Sequence, residues 1–150
     1  MGDGVDPGFS EAEIRALGEI AGTMIPADAA LKVPGADDPL IMADMVKSLG
    51  RDLPDVRAAL AAIGARAKGG FASLDIDSRE RLLTDYIASG GPAAALARVI
   101  LAAYYRDDRV LISLGMEPRP PFPKGHVLEQ GDWSLLDPVR QRAPFWRKDR

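Results

Sequence analysis

From residue 9 to residue 115, apolar stripes at helical spacing alternate with strong stop signals, and this punctuation constrains the fold more than any other feature. Ile14, Leu17, Ala21 and Met24 recur three and four apart, which places them on one face of a helix. Ser10-Glu11-Ala12-Glu13 ahead of them reads as a capping box, with Phe9 and Ile14 at the staple positions, and Pro26 closes the segment. A loop over 26–38 follows. Asp38 and Pro39 then open a second helix with Ile41, Met45 and Leu49 as its stripe and Gly50 as its stop.

The same grammar repeats downstream. Asp52 and Pro54 start a third helix with Val56, Leu60, Ile63 and Ala67 on its buried face, ended by Gly69-Gly70. Phe71 and Leu74 anchor the link that follows. Asp77-Ser78-Arg79-Glu80 reads as a second capping box, opening a fourth helix with Leu82, Leu83, Tyr86 and Ile87, ended by Gly90-Gly91. Pro92 opens a fifth with Leu96, Val99, Ile100, Ala103 and Tyr104. Asp107 or Asp108 caps a short sixth with Val110, Leu111 and Leu114, closed by Gly115. Alanine, which loses no side-chain entropy in a helix, is abundant throughout, and threonine occurs only twice. No stretch alternates apolar and polar long enough for a strand. The expectation is an all-α fold: five to six short amphipathic helices in a compact bundle over 9–115, preceded by a flexible N-terminus over 1–8.

Residues 116–150 are written differently. They hold six of the 12 prolines and four of the nine aromatics. Glu117-Pro118-Arg119-Pro120-Pro121-Phe122-Pro123 forces extended backbone, because each proline pushes its predecessor into the β or polyproline region. Farther on lie Trp133, Leu135, Leu136, Val139, Phe145 and Trp146, residues in which a free tail is poor. Burying one large apolar side chain contributes about 1.5–3 kcal/mol. Several such residues offset the ordering cost of about 1–2 kcal/mol per residue over only part of the tail. This extended Pro/aromatic-rich tail therefore needs a cover, either its own bundle or another protein.

Composition narrows the chemistry. The 150 residues carry a net charge of −3 and include no cysteine, which excludes disulfides, thiolate catalysis, iron–sulfur clusters and cysteine-ligated zinc. His126 is the single histidine, so His-pair mechanisms and His-rich metal sites are excluded too. The acidic balance argues against nucleic acid as a partner. The basic end over 138–150, with five basic residues and one acidic, suits an acidic protein surface better. No run approaches 18 apolar residues, so no membrane insertion is expected. The N-terminal Met1-Gly2-Asp3-Gly4-Val5-Asp6-Pro7 lacks the pattern of a secretory leader or twin-arginine signal, and the expected location is cytoplasmic. The location becomes periplasmic only if a leader is missing or is supplied by a partner. Asp37-Asp38 and Asp107-Asp108 each sit at a helix start, where capping accounts for them. Gly69-Gly70 and Gly90-Gly91 follow no strand and precede no Lys-Ser/Thr, so they read as helix ends rather than phosphate loops.

Three segments together resemble a known family. Leu17 through Thr23-Met24-Ile25-Pro26-Ala27-Asp28 is similar to an opening helix ending Thr-Ile-Ile-Pro-x-Asp. Phe71-Ala72-Ser73-Leu74 is followed by Arg81-Leu82-Leu83, and Tyr104-Tyr105-Arg106-Asp107-Asp108-Arg109-Val110 leads to Leu114-Gly115-Met116. Their order resembles the gluconate 2-dehydrogenase subunit 3 family, the small subunits of FAD-dependent glucose–methanol–choline type dehydrogenases. The tail Gly131-Asp132-Trp133-Ser134-Leu135-Leu136-Asp137-Pro138-Val139-Arg140 is similar to tails in that family. Asp108 stands where the family usually has proline, and Met116 where it has an aromatic.

The resemblance implies a noncatalytic, chaperone-like small subunit that binds and stabilises a large flavoprotein acting on a sugar or alcohol. FAD is then expected in the partner and no cofactor in this chain. The complex is a hetero-oligomer with room for a cytochrome subunit. The partner-binding residues on this reading are Trp133, Leu135, Leu136, Val139, Phe145 and Trp146 as apolar anchors, and Arg140, Arg142 and Arg147 at the rim. Tyr104, Tyr105 and Phe122 complete the set. The competing reading is a small helical hydrolase or lyase using His126 with Asp107 or Asp108.

Overall fold

A computed structural model describes residues 8–118 and 129–143, which belong to two units, Met1–Pro118 and Arg119–Arg150. The first unit contains helices α1 (Glu11–Met24), α2 (Pro39–Lys47), α3 (Leu53–Arg66), α4 (Ile76–Ile87), α5 (Pro92–Tyr104) and α6 (Asp108–Ser113). The second contains a 3₁₀ turn, Trp133–Leu136, running into the one-turn helix α7 (Asp137–Arg140). The described residues contain no strand, only an isolated bridge between Asp28 and Val33. The all-α expectation holds, with one helix more than the sequence suggested. The addition is α7, in a segment read as extended. Pro138, which breaks a helix interior, sits here in its first turn, where it is tolerated.

α5 explains the arrangement of the first unit. Its sequence Pro92-Ala-Ala-Ala-Leu-Ala-Arg-Val-Ile-Leu-Ala-Ala-Tyr104 carries one charged residue, so a single apolar stripe cannot satisfy it. Ala93, Ala95, Leu96, Val99, Ile100, Ala103 and Tyr104 are all buried, with α2, α3 and α4 packed around them. α1 closes the other side against α2, α3 and α4 through Leu17, Ile20 and Ala21. Phe71, on a 3₁₀ turn after α3, is buried with them, and Leu74 is half-buried against the core.

Four of the six helix starts carry the expected residue, Pro92 at the head of α5 among them, and two differ. The Glu13 N–H donates to Ser10 Oγ (3.2 Å), and the Ser10 N–H donates to Glu13 Oε2 (2.7 Å), which is the expected box. The other Glu13 oxygen accepts from Arg57 Nε on α3 (2.8 Å), so the cap also ties two helices together. Asp38 caps α2 and Asp107 caps α6, as expected. Asp52, by contrast, makes no cap bond to α3. Its carboxylate accepts from Arg98 on α5 at 2.7 Å instead. The fourth helix begins two residues early: Asp75 is its cap, accepting from the Ser78 N–H (2.9 Å) and the Ser78 hydroxyl (2.7 Å). The expected box at Asp77 is thus replaced by the preceding aspartate. The stop at Gly50 also falls differently. α2 ends at Lys47, and Gly50, at φ 46°, opens a 3₁₀ turn that feeds α3. Leu114, expected in the sixth stripe, is exposed, and Val110 alone on α6 is buried.

One tight approach fixes the loop between α1 and α2. A Cβ on Gly35 would clash with Asp37 Oδ1 and lie 3.0 Å from the Ala27 backbone nitrogen. The neighbouring Ala36 is fully buried, and its N–H donates to the Ile25 carbonyl (2.9 Å).

Two substitutions test this account. Leu96→Ala, at a fully buried position on α5, is expected to cost about 2–5 kcal/mol in urea denaturation. Ser10→Ala removes only a cap and is expected to cost about 1 kcal/mol in the same measurement.

Candidate functional site

The sequence-predicted partner residues fall into distinct surroundings. In the second unit, Asp132 Oδ1 accepts from the Ser134 N–H (3.0 Å) and hydroxyl (2.6 Å), which starts the 3₁₀ turn. Those bonds, the hydroxyl's first, hold the Asp132 carboxyl below its usual range. A 3₁₀ turn has three residues per turn, so Trp133 and Leu136 stand one above the other, and Val139 continues the row. Trp133 is 64% exposed, Leu135 73%, Leu136 40% and Val139 56%. The unit taken by itself leaves this apolar row uncovered. Arg140 sits 3.5 Å from the Asp137 carboxylate, and Arg142 is exposed. Phe122, His126, Phe145, Trp146 and Arg147 lie outside the described residues.

Tyr104 and Tyr105 divide their roles. Tyr104 is buried with the α5 core, and burial raises its hydroxyl pKa. Its ring meets that of Tyr105 edge to face, with centroids 5.3 Å apart. Tyr105 is half exposed, so the surface offered by this pair belongs to Tyr105, one turn beyond the partly exposed Leu101.

The Tyr-Tyr-Arg-Asp-Asp-Arg-Val segment resolves into a clamp. Arg109 donates from Nη1 to Asp38 Oδ2 (3.1 Å) and from Nη2 to Asp38 Oδ1 (2.8 Å). It also donates from Nε to Asp107 Oδ1 and from Nη2 to Asp107 Oδ2, both at 2.9 Å. One guanidinium therefore joins the cap of α2 to the cap of α6, in the bidentate geometry that suits arginine to carboxylates. Beside it, Arg106 donates to Asp44 Oδ2 from Nε (2.9 Å) and Nη2 (2.6 Å), and to Ser48 Oγ (3.0 Å). The sequence exposed the caps but not these arginine partners on α2, because pairing across the fold leaves no local pattern. A cleft of about 420 Å³ lies against the clamp, lined by Leu40, Ile41, Asp44, Ala103, Arg106, Asp107, Asp108 and Arg109.

This geometry bears on acid–base chemistry. The Arg109 hydrogen bonds hold the carboxyls of Asp38 and Asp107 below the ordinary range, against a smaller upward push from burial. Both Asp107 oxygens are occupied, and a depressed carboxylate is a weak proton acceptor, whereas a general base works best with a pKa near the operating pH. Among the described residues, no group of three or more His, Asp or Glu is placed to hold a metal ion. No single helix among them is long and apolar enough to cross a membrane.

A second concavity lies between the end of α1 and α4. It measures about 610 Å³ and is lined by Thr23, Met24, Pro26, Glu80, Leu83, Thr84, Ile87 and Ala88. Nothing in the sequence marks it, because Met24, Leu83 and Ile87 appear there only as members of helix stripes. No family model matches the chain, and neither a curated protein nor a solved structure matches it.

The clamp has a signed pH dependence. Because the folded-state pKa values of Asp38 and Asp107 are depressed, the ion pairs contribute stability above the unfolded value of about 4. That contribution is lost as pH falls through the folded-state values. Arg109→Gln is expected to lower the denaturation midpoint at pH 7. Its deficit relative to the parent chain should narrow as pH drops below about 4. A deficit that stays constant down to acid pH would contradict the clamp.

Proposed function

We propose that this chain is a noncatalytic small subunit of an FAD-dependent oxidoreductase acting on a sugar or alcohol, and that it binds and stabilises the large flavoprotein subunit. The observation that carries the reading is the uncovered row of Trp133, Leu136 and Val139, with exposed Leu135 beside it and Arg140 and Arg142 following. Tryptophan and arginine dominate interface hot spots, and an apolar row of this size on a short ordered turn is costly to leave in water. The three sequence segments that resemble gluconate 2-dehydrogenase subunit 3 supply the class of partner. FAD and the hydride chemistry belong to that partner. This chain acts by binding its folded form, which stabilises it by mass action. Arg140 and Arg142 meet carboxylates at the rim of the contact. Of the hydrolase or lyase reading, which uses His126 with Asp107 or Asp108, the Asp107 form is disfavoured by the Arg109 bonds to both of its carboxylate oxygens.

The test is expression of a flavoprotein captured on this chain, with and without the chain. Soluble yield, bound FAD and dehydrogenase activity are all expected to fall in its absence, and equal values in both preparations would overturn the reading. Trp133→Ala combined with Leu136→Ala is expected to reduce co-purification at least about tenfold. His126→Ala should leave the activity of the complex unchanged.

A further inference from the structure

Three parallel rows run along the face of α4 that borders the groove with α1, because helical residues four apart stand in line. The innermost row, Leu83 and Ile87, is apolar and forms the floor, with Met24 and Pro26 at the end of α1 as the facing wall. The middle row, Glu80, Thr84 and Ala88, borders that floor. The outermost row, Asp77, Arg81 and Asp85, lines an adjoining hollow that shares Glu80 and Thr84 with the groove. Apolar and acidic strips therefore lie side by side along one helix for about 12 Å, at about 1.5 Å per residue.

The acids on these rows are uncompensated. Asp77, Glu80 and Asp85 enter no ion pair among the described residues. No cation lines the groove. Both arginines of α4 are committed to the chain around them. Arg79 donates to the carbonyls of Leu74 (3.0 Å) and Ala72, and Arg81 to the Asp77 carbonyl (3.1 Å) and Ser78 Oγ (3.4 Å). Even with Arg81 counted, three carboxylates stand against one guanidinium.

A small ligand meets such a surface at one apolar patch or one charge. Matching two parallel strips over two turns takes a partner with the same repeat, which is another helix. Its large apolar residues fall four apart on one row, and its Lys or Arg residues four apart on the next. We infer that the α1–α4 groove binds an amphipathic helix of a partner protein, its apolar row on Leu83 and Ile87 and its basic row along Asp77, Glu80 and Asp85. The mode is a helix laid in a groove, ridge beside ridge, and the opposed charges fix its register and roll. The groove volume of about 610 Å³ accommodates the apolar row. The inference rests on the first unit alone. It depends neither on what covers Trp133 nor on the proposed oxidoreductase.

Fluorescence anisotropy on the purified full chain tests it, with a synthetic Leu/Lys helix of about five turns as the probe. An Ala/Lys twin keeps the charge and loses the large apolar row, and a Leu/Glu twin inverts the charge. The Leu/Lys peptide is expected to bind at least about tenfold more tightly than either twin, and less tightly as salt rises from about 0.05 to 0.5 M. Glu80→Gln with Asp85→Asn removes acids beside the floor, and Thr84→Trp fills the groove without changing charge. Each is expected to weaken binding at least about tenfold. Glu11→Gln with Asp55→Asn removes the same charge at the starts of α1 and α3, and should leave binding unchanged. All these positions are exposed, and unchanged circular dichroism would show that the helices are intact. No binding of the Leu/Lys peptide, or equal binding of either twin, would overturn the inference. So would a control pair that weakens binding as much as the groove pair, or a Thr84→Trp chain that binds normally. Self-association in sedimentation velocity that Thr84→Trp abolishes would also overturn it, since a second copy would then hold the groove.

Discussion

The burial of α5 is the constraint on which the first unit depends. A helix with one charged residue in thirteen leaves only a narrow face in water, Ala94, Arg98, Leu101 and Ala102, so three other helices pack against the rest. That requirement sets the positions of α2, α3 and α4, and α1 then covers what they leave open. The core that results contains no buried polar or charged side chain among the described residues. Among the described residues the ion pairs lie at the rim, and three of them tie a carboxylate at a helix start (Glu13, Asp38, Asp52) to an arginine of another helix. The two kinds of interaction divide the work: apolar volume drives association, and the rim pairs select which helix end meets which.

How much of this is legible in the sequence depends on the range of the interaction. Signals confined to a few residues read correctly: the Ser10 box, the Asp38-Pro39 start, Pro92 opening α5, and the stripe Leu96, Val99, Ile100, Ala103. Where two local solutions compete, the sequence alone does not choose. Asp75 and Asp77 are both sound caps, and the structure takes Asp75 because Ser78 then supplies two bonds to it. Asp52 is no cap: it ends a 3₁₀ turn with helical backbone, and its carboxylate accepts from Arg98, 46 residues away. The pairing of Arg106 with Asp44 and of Arg109 with Asp38 spans 62 and 71 residues, and no periodicity encodes such a distance. The turn at Trp133 was obscured for another reason. Prolines around it favour extended backbone, but Asp132 and Ser134 initiate a 3₁₀ turn locally.

The candidate site shows the same split. Trp133, Leu135, Leu136 and Val139 were singled out because apolar residues do not belong on a proline-spaced tail, and they are exposed on an ordered turn. Tyr104 belongs to the same expected set, yet its helical position places it in the core, and of the two tyrosines only Tyr105 reaches the surface. The groove between α1 and α4 was invisible, because a concavity is a property of two helices and not of either stripe. The Tyr104–Val110 segment carries a structural joint in which Arg106 and Arg109 are spent on Asp44, Asp38 and Asp107.

A core composed solely of aliphatic, methionine and aromatic side chains has a consequence for kinship. Such an interior fixes total volume and helical rhythm but not spelling, since hydrophobic exchanges that conserve volume are tolerated. Two chains could share these six helices while agreeing at little more than a few end-caps and the arginines that staple them. For an architecture of this sort, ancestry fades from the alphabet long before it fades from the shape.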